Sequence, residues 1–242
     1  MNMTVIPYKD KEAGKKQQVA EMFDNISPKY DFLNHLLSLG IDKIWRRKAI
    51  NLIKADQPQH ILDIATGTGD FAIQALKINP KKVTGVDISV GMLEMGRKKL
   101  KKMKLDDRIE LLKGDSEGLQ FEDNTFDAAI VAFGVRNFEN LESGLSDMLR
   151  VVKKGGKIVI LEFSQPRLFP FKQLYNFYFN SILPKIGRLI SKDSSAYTYL
   201  PDSVKSFPDG NEFLDILKKV GYNETRCKTL TFGISSIYIG TK

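Results

Sequence analysis

The sequence predicts an α/β fold in which a mostly parallel, seven-stranded sheet carries helices on both faces and ends in an antiparallel hairpin. Three observations lead to this prediction. Short apolar runs alternate with helical stretches through the middle of the chain, and a β-α-β-α order favours parallel strands. A glycine-rich loop at 67–69 follows the first apolar run. Two short runs near the C-terminus flank Gly233, which indicates a hairpin.

Composition limits the class of protein. The 242 residues suit one domain, and a hydrophobic content of 42% supports a sizeable core. No run approaches the roughly 20 apolar residues of a membrane span, and residues 1–14 lack the apolar segment of a signal peptide. The single cysteine, Cys227, cannot form an internal disulfide, so we expect a cytoplasmic location. With one cysteine and two histidines we also expect no metal.

The N-terminal part, 1–56, is predicted to form a helical cap. Val19, Met22, Phe23 and Ile26 follow the spacing of an amphipathic helix. Ser27-Pro28 should end this helix, because the residue before a proline avoids the α region. A second helix is predicted over 41–53.

The part from 57 to 163 is predicted to be the nucleotide-binding core. Its predicted strands are Ile61–Ala65, Lys82–Asp87, Ile109–Lys113, Asp127–Phe133 and Lys157–Phe163. Its predicted helices are Asp70–Ile78, Ser89–Met103 and Leu141–Val151. Lys154-Gly155-Gly156 is predicted to be the turn that precedes the fifth strand.

Residues 164–208 interrupt this alternation. They contain nine aromatic residues in 45, twice the proportion of the whole chain, and a net charge of +4. Five aliphatic residues lie between 182 and 190. We predict a substrate lid with an apolar mouth that faces a membrane, since connections of this length are usually functional or disordered; the alternative is an extra helical layer packed on the core. Residues 209–242 then supply a helix over 210–220 and strands over 224–230 and 235–240.

The loop from Asp63 to Asp70 is predicted to bind a nucleoside. Its glycines permit a tight turn and a close approach of the ligand, and the next helix begins with free N–H groups. Asp87 lies 20 residues after Gly67 at the end of the second strand, where its carboxylate can accept hydrogen bonds from both ribose hydroxyls. This loop alone leaves S-adenosylmethionine and NAD both open, because 67–72 also satisfies a dinucleotide fingerprint.

The end of the third strand favours S-adenosylmethionine over NAD. Asp115 is placed to accept from an adenine amino group, and the Ser116 N–H is placed to donate to the ring. A simple turn remains the alternative explanation for Asp115.

Blocks of sequence along nearly the whole chain resemble the UbiE/MenG family of demethylmenaquinone and polyprenyl-benzoquinol C-methyltransferases. The blocks are 23–34, Leu39-Gly40-Ile41, Trp45-Arg46, the glycine loop, Phe133-Gly134-Val135-Arg136-Asn137, 161–166, Tyr197-Thr198-Tyr199-Leu200, Phe207-Pro208 and 230–234. The glycine loop is shared by many methyltransferases, whereas the blocks at 133–137 and 197–200 are far more specific. One departure is Ala132, where some members carry a serine.

The resemblance implies a class I Rossmann-like methyltransferase that uses S-adenosylmethionine, with S-adenosylhomocysteine as the product. The expected donor contacts are Asp63, Gly67, Thr68, Gly69, Asp87, Ile88, Asp115 and Ser116. The expected acceptor is a prenylated quinol. Demethylmenaquinol is the preferred candidate, and a benzoquinol of the ubiquinone pathway is the alternative.

The acceptor ring carbon must be made nucleophilic, and deprotonation of the neighbouring hydroxyl achieves this. Arg136 follows the fourth strand, and its permanent charge suits a phenolate. Tyr30 and Asp31 are expected to close over the site, with Asp31 as a candidate proton acceptor. The expected acceptor contacts are Phe23, Tyr30, Arg136, Asn137, Tyr197 and Tyr199. An ion pair for Arg136, a capping role for Asp31 and a structural role for His35 remain alternatives.

Three other functions compete with this one, and the net charge of +8 motivates the first of them. A nucleic-acid methyltransferase is disfavoured, because no Asn/Asp-Pro-Pro-aromatic motif follows the fourth strand and Cys227 lies in the terminal hairpin. A dehydrogenase and a non-catalytic nucleotide-binding scaffold are the other two. We expect no nucleic-acid partner and a peripheral contact with the membrane surface, and a homodimer is left open.

Overall fold

A mixed sheet of seven strands runs through the centre of the molecule in the order β3-β2-β1-β4-β5-β7-β6. The computed structural model describes residues 5–182 and 195–242. The strands are β1 (His60–Ile64), β2 (Lys82–Asp87), β3 (Ile109–Lys113), β4 (Phe126–Ala132), β5 (Val152–Phe163), β6 (Asn223–Leu230) and β7 (Ser235–Thr241). Strands β1 to β5 pair in parallel, and β7 runs antiparallel between β5 and β6. The predicted fold class, including the terminal hairpin, is confirmed.

Helices cover both faces of the sheet. They are α1 (Lys15–Ile26), α2 (Tyr30–Leu37), α3 (Ile41–Ile50), α4 (Asp70–Ala75), α5 (Val90–Met103), α6 (Leu141–Val151), α7 (Phe171–Phe177), α8 (Ser195–Ser206) and α9 (Asn211–Val220). Two begin at polar caps: the Ser89 hydroxyl accepts from the Met92 N–H, and the Asn140 side chain accepts from the Ser143 N–H. Among these described helices none is long and apolar enough to cross a membrane.

The N-terminal helices follow the prediction with two differences. Helix α1 ends at Ser27-Pro28 as expected, but a single 3₁₀ turn then leads directly into α2, which the spacing did not separate. Helix α3 ends at Ile50 and continues as a 3₁₀ helix to Asp56, so the predicted helix over 41–53 is shorter and tighter at its end.

Two apolar clusters lie on opposite faces of the sheet. Ile61 belongs to the cluster under α3, α4 and α5, whereas Leu62 and Ile64 belong to the cluster under α6 and α9. Successive side chains of a strand point to opposite faces, and both faces of β1 are covered. The near-continuous apolar runs in the sequence are therefore the central strands of a sheet buried on both sides.

Strand β5 is longer than the sequence predicts. It begins at Val152, so the predicted turn at Lys154-Gly155-Gly156 lies inside it. The pairing register with β4 shifts between Phe126 and Ala128, and Gly155 has φ +78°. The glycines thus form an irregularity within the strand, as a bulge does, and do not form a separate turn.

The loops that follow β1 and β4 touch each other. Ala65 has φ +51° and Phe133 has φ +60°, a left-handed conformation that is uncommon for residues other than glycine. A Cβ atom added to Gly134 would lie 2.6 Å from the Ala65 Cβ. The strand order reverses between β1 and β4, and ligands bind where such strands part in open α/β sheets.

The described part of the segment 164–208 is helical. Phe179, Ala196 and Tyr199 pack with Val19 and Met22 of α1 in a third apolar cluster. These contacts are those of a helical layer, and the lid function stays a prediction. Several residues named for the lid lie outside the described residues: Leu183, Lys185, Ile186, Arg188, Leu189, Ile190, Lys192 and Asp193.

Candidate active site

Three adjoining cavities lie at the carboxyl ends of β1 and β4. The large cavity has a volume of about 370 Å³ and is enclosed mainly by aromatic and aliphatic side chains of α1, α2, α3, α7 and α8. The middle cavity, of about 80 Å³, lies over the ends of β1, β2 and β4, and the small cavity, of about 20 Å³, lies beside the glycine loop. Tyr30 lines all three. A ligand that fills the two smaller cavities would therefore meet a ligand in the large one at Tyr30.

The middle cavity contains most of the residues predicted to hold the nucleoside. Gly67, Asp87, Ile88, Asp115 and Ser116 all line it. Oδ2 of Asp87 accepts from the Gly67 N–H at 2.7 Å, and Oδ1 accepts from the Ser89 N–H at 2.8 Å. Each carboxylate oxygen can accept a second hydrogen bond, so capacity remains for two ribose hydroxyls. Burial raises the pKa of Asp87 to about 6.

Asp115 is shared with the N-terminal helix. Its Oδ2 lies 2.7 Å from the Nζ of Lys16, and its Oδ1 accepts from the Glu117 N–H at 3.0 Å. Lys16 lines the middle cavity and also contacts Glu117. Helix α1 is therefore attached to the lining of this cavity through an ion pair. The adenine contact of Asp115 stays a prediction, and the carboxylate is already paired with a lysine in the ligand-free protein.

The small cavity lies where β1 meets the glycine loop. Asp63, Gly67, Thr68 and Arg46 line it. Burial raises the pKa of Asp63 to about 7, against smaller opposing effects of the Thr66 hydroxyl, Arg46 and the Ala72 amide. Gly69 lines none of the three cavities as the described residues define them. With φ +83° at the cap of α4, its contribution is the turn itself.

Asp31 belongs to a charged network next to the small cavity. Its carboxylate contacts the Thr68 hydroxyl and, at 2.7 Å, the Nζ of Lys99, which also pairs with Asp70. Within the described part of the chain, Asp31 lines none of the three cavities. This arrangement favours a tether between α2, the glycine loop and α5, and the role of Asp31 as proton acceptor stays a prediction.

Arg136 lies on the wall of the large cavity with its guanidinium fixed. Nη1 lies 2.8 Å from Oε1 of Glu162 and also donates to the Phe133 carbonyl, while Nε donates to the Ser203 hydroxyl at 3.3 Å. The two charged side chains are 7% and 0% exposed. The carboxylate predicted as an alternative partner is thus present, but it is buried in β5 and does not lie at the surface.

The tyrosines of the large cavity are neutral groups. Burial raises the pKa of Tyr30 and raises that of Tyr199 to about 12, despite an opposing effect of Arg136. The Tyr199 hydroxyl donates to Oδ1 of Asn137 at 3.1 Å, and the Phe23 ring meets Tyr30 edge-on at 5.9 Å between centroids. Asn137 lines the middle cavity, whereas its partner Tyr199 lines the large one. The Tyr197 side chain lies outside the described residues.

Comparison with known proteins identifies the family. Residues 11–242 match the ubiE/COQ5 methyltransferase family. The chain belongs to this family.

Several relatives are similar over nearly their whole length. A demethylmenaquinone methyltransferase of Bacteroides fragilis is 51% identical over 98% of this chain and 96% of the relative. One of Porphyromonas gingivalis is 45% identical over 98% of each. A ubiquinone/menaquinone biosynthesis C-methyltransferase UbiE of Geobacter sulfurreducens is 46% identical over 94% of this chain and 90% of the relative.

Solved structures agree on the fold. A putative S-adenosyl-L-methionine-dependent methyltransferase of Methanococcus maripaludis superposes with a TM-score of 0.60 at 21% identity, covering 97% of this chain and 96% of its own. An S-adenosyl-L-methionine-dependent methyltransferase of Thermotoga maritima superposes with a TM-score of 0.62 at 20% identity, covering 92% of this chain and 99% of its own. With the family, these findings make the chain an S-adenosylmethionine-dependent methyltransferase of the Rossmann-like class.

The acids at the ends of β1 and β2 fit this donor. They retain hydrogen-bonding capacity, and their raised pKa values reflect burial without a full set of partners.

Among the described residues no group of three or more His, Cys, Asp or Glu side chains could hold a metal ion. The absence of a metal from the enzyme stays a prediction.

Glu162 and Arg46 are among the charged residues of the site that were not predicted as site residues. Glu162 stands in an apolar strand, and a charge there is almost never fully buried without a partner, which was the available signal. Arg46 was noted only within the Trp45-Arg46 block, and its approach to the glycine loop depends on how α3 packs over β1. Neither contact follows from local sequence patterns.

Binding of the adenosine end should depend on the ionisation of Asp87. Because the pKa is about 6 and the ionised carboxylate accepts the stronger hydrogen bonds, affinity should be constant above pH 6 and fall about tenfold per pH unit below it. Calorimetry with 5′-methylthioadenosine, which lacks the amino-acid end of the donor, isolates this group. Asp87→Asn should bind more weakly and lose the dependence. Equal slopes for both proteins would contradict the assignment.

Proposed function

We propose that the enzyme transfers the methyl group of S-adenosylmethionine to a ring carbon of a prenylated quinol, converting demethylmenaquinol to menaquinol. The observation that carries this proposal is the meeting of an apolar cavity with the donor cavities at Tyr30, with Arg136 on the wall. The names of the Bacteroides and Porphyromonas relatives support the naphthoquinol acceptor. The name of the Geobacter relative includes ubiquinone as well as menaquinone biosynthesis, so a benzoquinol is the second candidate acceptor.

The large cavity suits an aromatic ring with an apolar tail. Its volume of about 370 Å³ falls in the range of small-molecule sites. Phe133 and Phe163 stack at 4.4 Å on its wall, and Tyr175 stacks on Phe179 at 4.1 Å. Flat apolar walls of this kind favour a ring, and a prenyl chain longer than the cavity must leave through its mouth.

The chemistry requires a nucleophilic ring carbon. When bound, the donor supplies a methyl group activated by the sulfonium. The acceptor carbon forms a bond to the methyl carbon, and the sulfur–methyl bond breaks with its electron pair retained on sulfur. The ring proton at that carbon then passes to solvent, which restores the aromatic ring. A phenol resembles tyrosine, with a pKa of about 10, so a nearby charge is needed to stabilise the phenolate that activates this carbon.

Arg136 meets this requirement through the third nitrogen of its guanidinium. Nε and Nη1 are engaged by Ser203, Glu162 and the Phe133 carbonyl. None of these three contacts uses Nη2. Because the side chain lines the large cavity, we assign Nη2 to the acceptor oxygen. Glu162 holds the guanidinium in place and keeps the ligand-free pair neutral.

Exposed apolar side chains line the large cavity or belong to the segments that line it. This apolar rim consists of Leu39 and Leu174, which line the cavity, of Leu168, Phe169 and Phe177 in or next to α7, and of Phe232, which stacks on the lining residue Phe171 at 3.8 Å. Leu39 is 85% exposed and Phe169 is 80% exposed. Exposed apolar patches mark interaction sites. This rim supports the lid function of 164–208, the cap function of 1–56 and contact of these side chains with the bilayer in which the quinol dissolves.

The proposed reaction is tested by product analysis. The enzyme is given methyl-labelled S-adenosylmethionine with demethylmenaquinol or a demethylated benzoquinol of equal prenyl length. We expect a product with the label on a ring carbon, located by NMR, and faster turnover of the naphthoquinol. Faster turnover of the benzoquinol would make the benzoquinol, and not demethylmenaquinol, the preferred acceptor. An O-methylated product, or none from either quinol while the donor binds, would overturn C-methylation of a quinol.

Arg136 should affect turnover more than donor affinity. Arg136→Lys retains the charge but loses the planar fork, and kcat should fall about 10²–10³-fold, as on loss of one donor to an oxyanion. Arg136→Gln alone leaves Glu162 buried without a partner. The double variant Arg136→Gln/Glu162→Gln therefore serves as the folded control for loss of charge, and it should bind S-adenosylhomocysteine normally with similarly low kcat. Full kcat in either the lysine or the double variant would exclude phenolate stabilisation by Arg136.

The apolar rim should govern access of long-chain quinols. Leu168→Ser/Phe177→Ser should weaken binding to anionic vesicles and raise KM for long-chain quinols in those vesicles. Turnover of a short-chain quinol in solution should be unchanged, because both residues are exposed and neither lines the large cavity. Val90→Ser/Met103→Ser is the matched control, because these residues are also exposed and apolar but lie on α5. If the two double variants bind vesicles equally well, the quinol enters elsewhere.

A further inference from the structure

We infer that the Tyr175 hydroxyl donates a hydrogen bond to the phenolate oxygen of the acceptor, so that Tyr175 and Arg136 stabilise this anion together. The inference rests on the proposed function and adds a second donor to its acceptor site. Tyr175 belongs to α7, in the segment 164–208. This segment would then contribute to the chemistry as well as to access of the quinol.

The Tyr175 side chain has a buried polar atom that the protein leaves unused. Its hydroxyl has no hydrogen-bond partner among the described residues, and the side chain lines the large cavity. The hydroxyl of Tyr199, in the same cavity, is instead engaged by Asn137. Burial of a hydroxyl without a hydrogen bond lowers stability, so such a group calls for a partner from outside the protein. In a cavity proposed to hold a quinol, a quinol oxygen supplies that partner.

The ring of Tyr175 is held in place by packing. It stacks on the Phe179 ring at 4.1 Å between centroids, with 26° between the two planes. Phe179 is buried and belongs to the third apolar cluster, together with Val19 and Met22 of α1. With the ring fixed, only the hydroxyl hydrogen can still rotate. The donor is therefore positioned before the acceptor binds, which is the condition for effective stabilisation of an anion.

Tyr175 and Arg136 are connected along the wall of the large cavity by two aromatic rings. The Arg136 guanidinium lies 5.5 Å from the centre of the Phe163 ring. Phe163 meets Phe179 edge-on at 6.4 Å, and Phe179 carries the Tyr175 ring. The charge of Arg136 also acts on Tyr175, since it opposes the rise in the pKa of Tyr175 that burial causes. Both donors thus belong to one stretch of the wall.

The protonation state of Tyr175 decides what its hydroxyl does. Burial raises the pKa of Tyr175 above its ordinary value of about 10, so the hydroxyl keeps its proton and donates it in a hydrogen bond. The quinol hydroxyl loses its own proton to solvent. Hydrogen bonds to an ionised acceptor are stronger than those between neutral groups, so Tyr175 favours the phenolate over the neutral quinol. It thereby lowers the pKa of the bound quinol.

The direct test measures that pKa with a probe that cannot react. The probe is 3-prenyl-1-naphthol, bound to the enzyme together with S-adenosylhomocysteine, which has no methyl group to transfer. The naphthol keeps the acceptor carbon and its neighbouring hydroxyl but lacks the opposite hydroxyl, and its ultraviolet absorbance reports ionisation. The wild type should bind it with a pKa below that of the naphthol in water.

Tyr175→Phe removes one oxygen atom and retains the stacked ring. It should raise the pKa of the bound naphthol by about one unit relative to the wild type, as expected for loss of one hydrogen bond to a charged group. Tyr8→Phe is the matched control, because Tyr8 lines none of the three cavities that the described residues define. The control should leave the pKa of the bound naphthol unchanged.

The pH profile of kcat with demethylmenaquinol, measured without oxygen, gives a second readout. In the wild type kcat should rise with pH as the bound quinol ionises and then reach a plateau. In Tyr175→Phe the rise should move up by about one pH unit, so that kcat is about tenfold lower on the rising part and equal on the plateau. A purely structural role of the hydroxyl would instead lower kcat equally at every pH.

The outcomes separate this inference from the proposed function. A wild-type pKa of the bound naphthol in Tyr175→Phe, or an equal loss of kcat at every pH, would overturn the role of Tyr175 while the proposed function stands. A pKa in the wild type no lower than that in water would overturn stabilisation of the anion by both Tyr175 and Arg136. If the wild type neither binds the naphthol nor methylates demethylmenaquinol, the proposed function itself fails.

Discussion

The loops that follow β1 and β4 are in contact where the strand order reverses, and the rest of the site is arranged around this contact. Gly134 approaches Ala65 so closely that no side chain fits between them. Ala65 and Phe133 both adopt left-handed conformations, a strain that persists only when surrounding structure imposes it. Beyond this point one loop continues to Gly67 and the other to Arg136. The two smaller cavities and the large cavity are therefore separate spaces that share a wall.

The helices from outside the sheet bring charge to that wall. Helix α1 supplies Lys16 to Asp115, α2 connects to Lys99 through Asp31, and α3 supplies Arg46. Each of these groups is at least partly buried, and a buried charge without a partner lowers the stability of the protein. Helix α1 is thus attached to Asp115, which is predicted to contact the donor. We therefore expect donor binding and the position of α1 to be energetically coupled.

Much of the fold follows from local patterns in the sequence. The strands of the core were predicted within a few residues because a sheet buried on both faces needs apolar runs, and glycine and proline mark where they stop. The predicted start of β5 was wrong, because Gly155 and Gly156 are as compatible with a turn as with an irregular strand. For the site, Asp87 and Asp115 follow from spacing along the strands. Glu162 and Arg46 do not, since their roles depend on packing between elements far apart in sequence, and Asp31 was assigned to the cavity although its carboxylate faces Lys99.

The central claim is that the sulfonium methyl group and the quinol ring meet at Tyr30, one from each side. A crystal structure of the enzyme with S-adenosylmethionine and an oxidised quinone, which lacks the hydroxyl needed for reaction, tests it directly. The account predicts the methyl carbon and the ring carbon about 3–3.5 Å apart, with the Arg136 guanidinium at the neighbouring ring oxygen. A quinone ring outside the large cavity, or one whose carbons lie beyond reach of the methyl group while the donor occupies its own cavities, would contradict it.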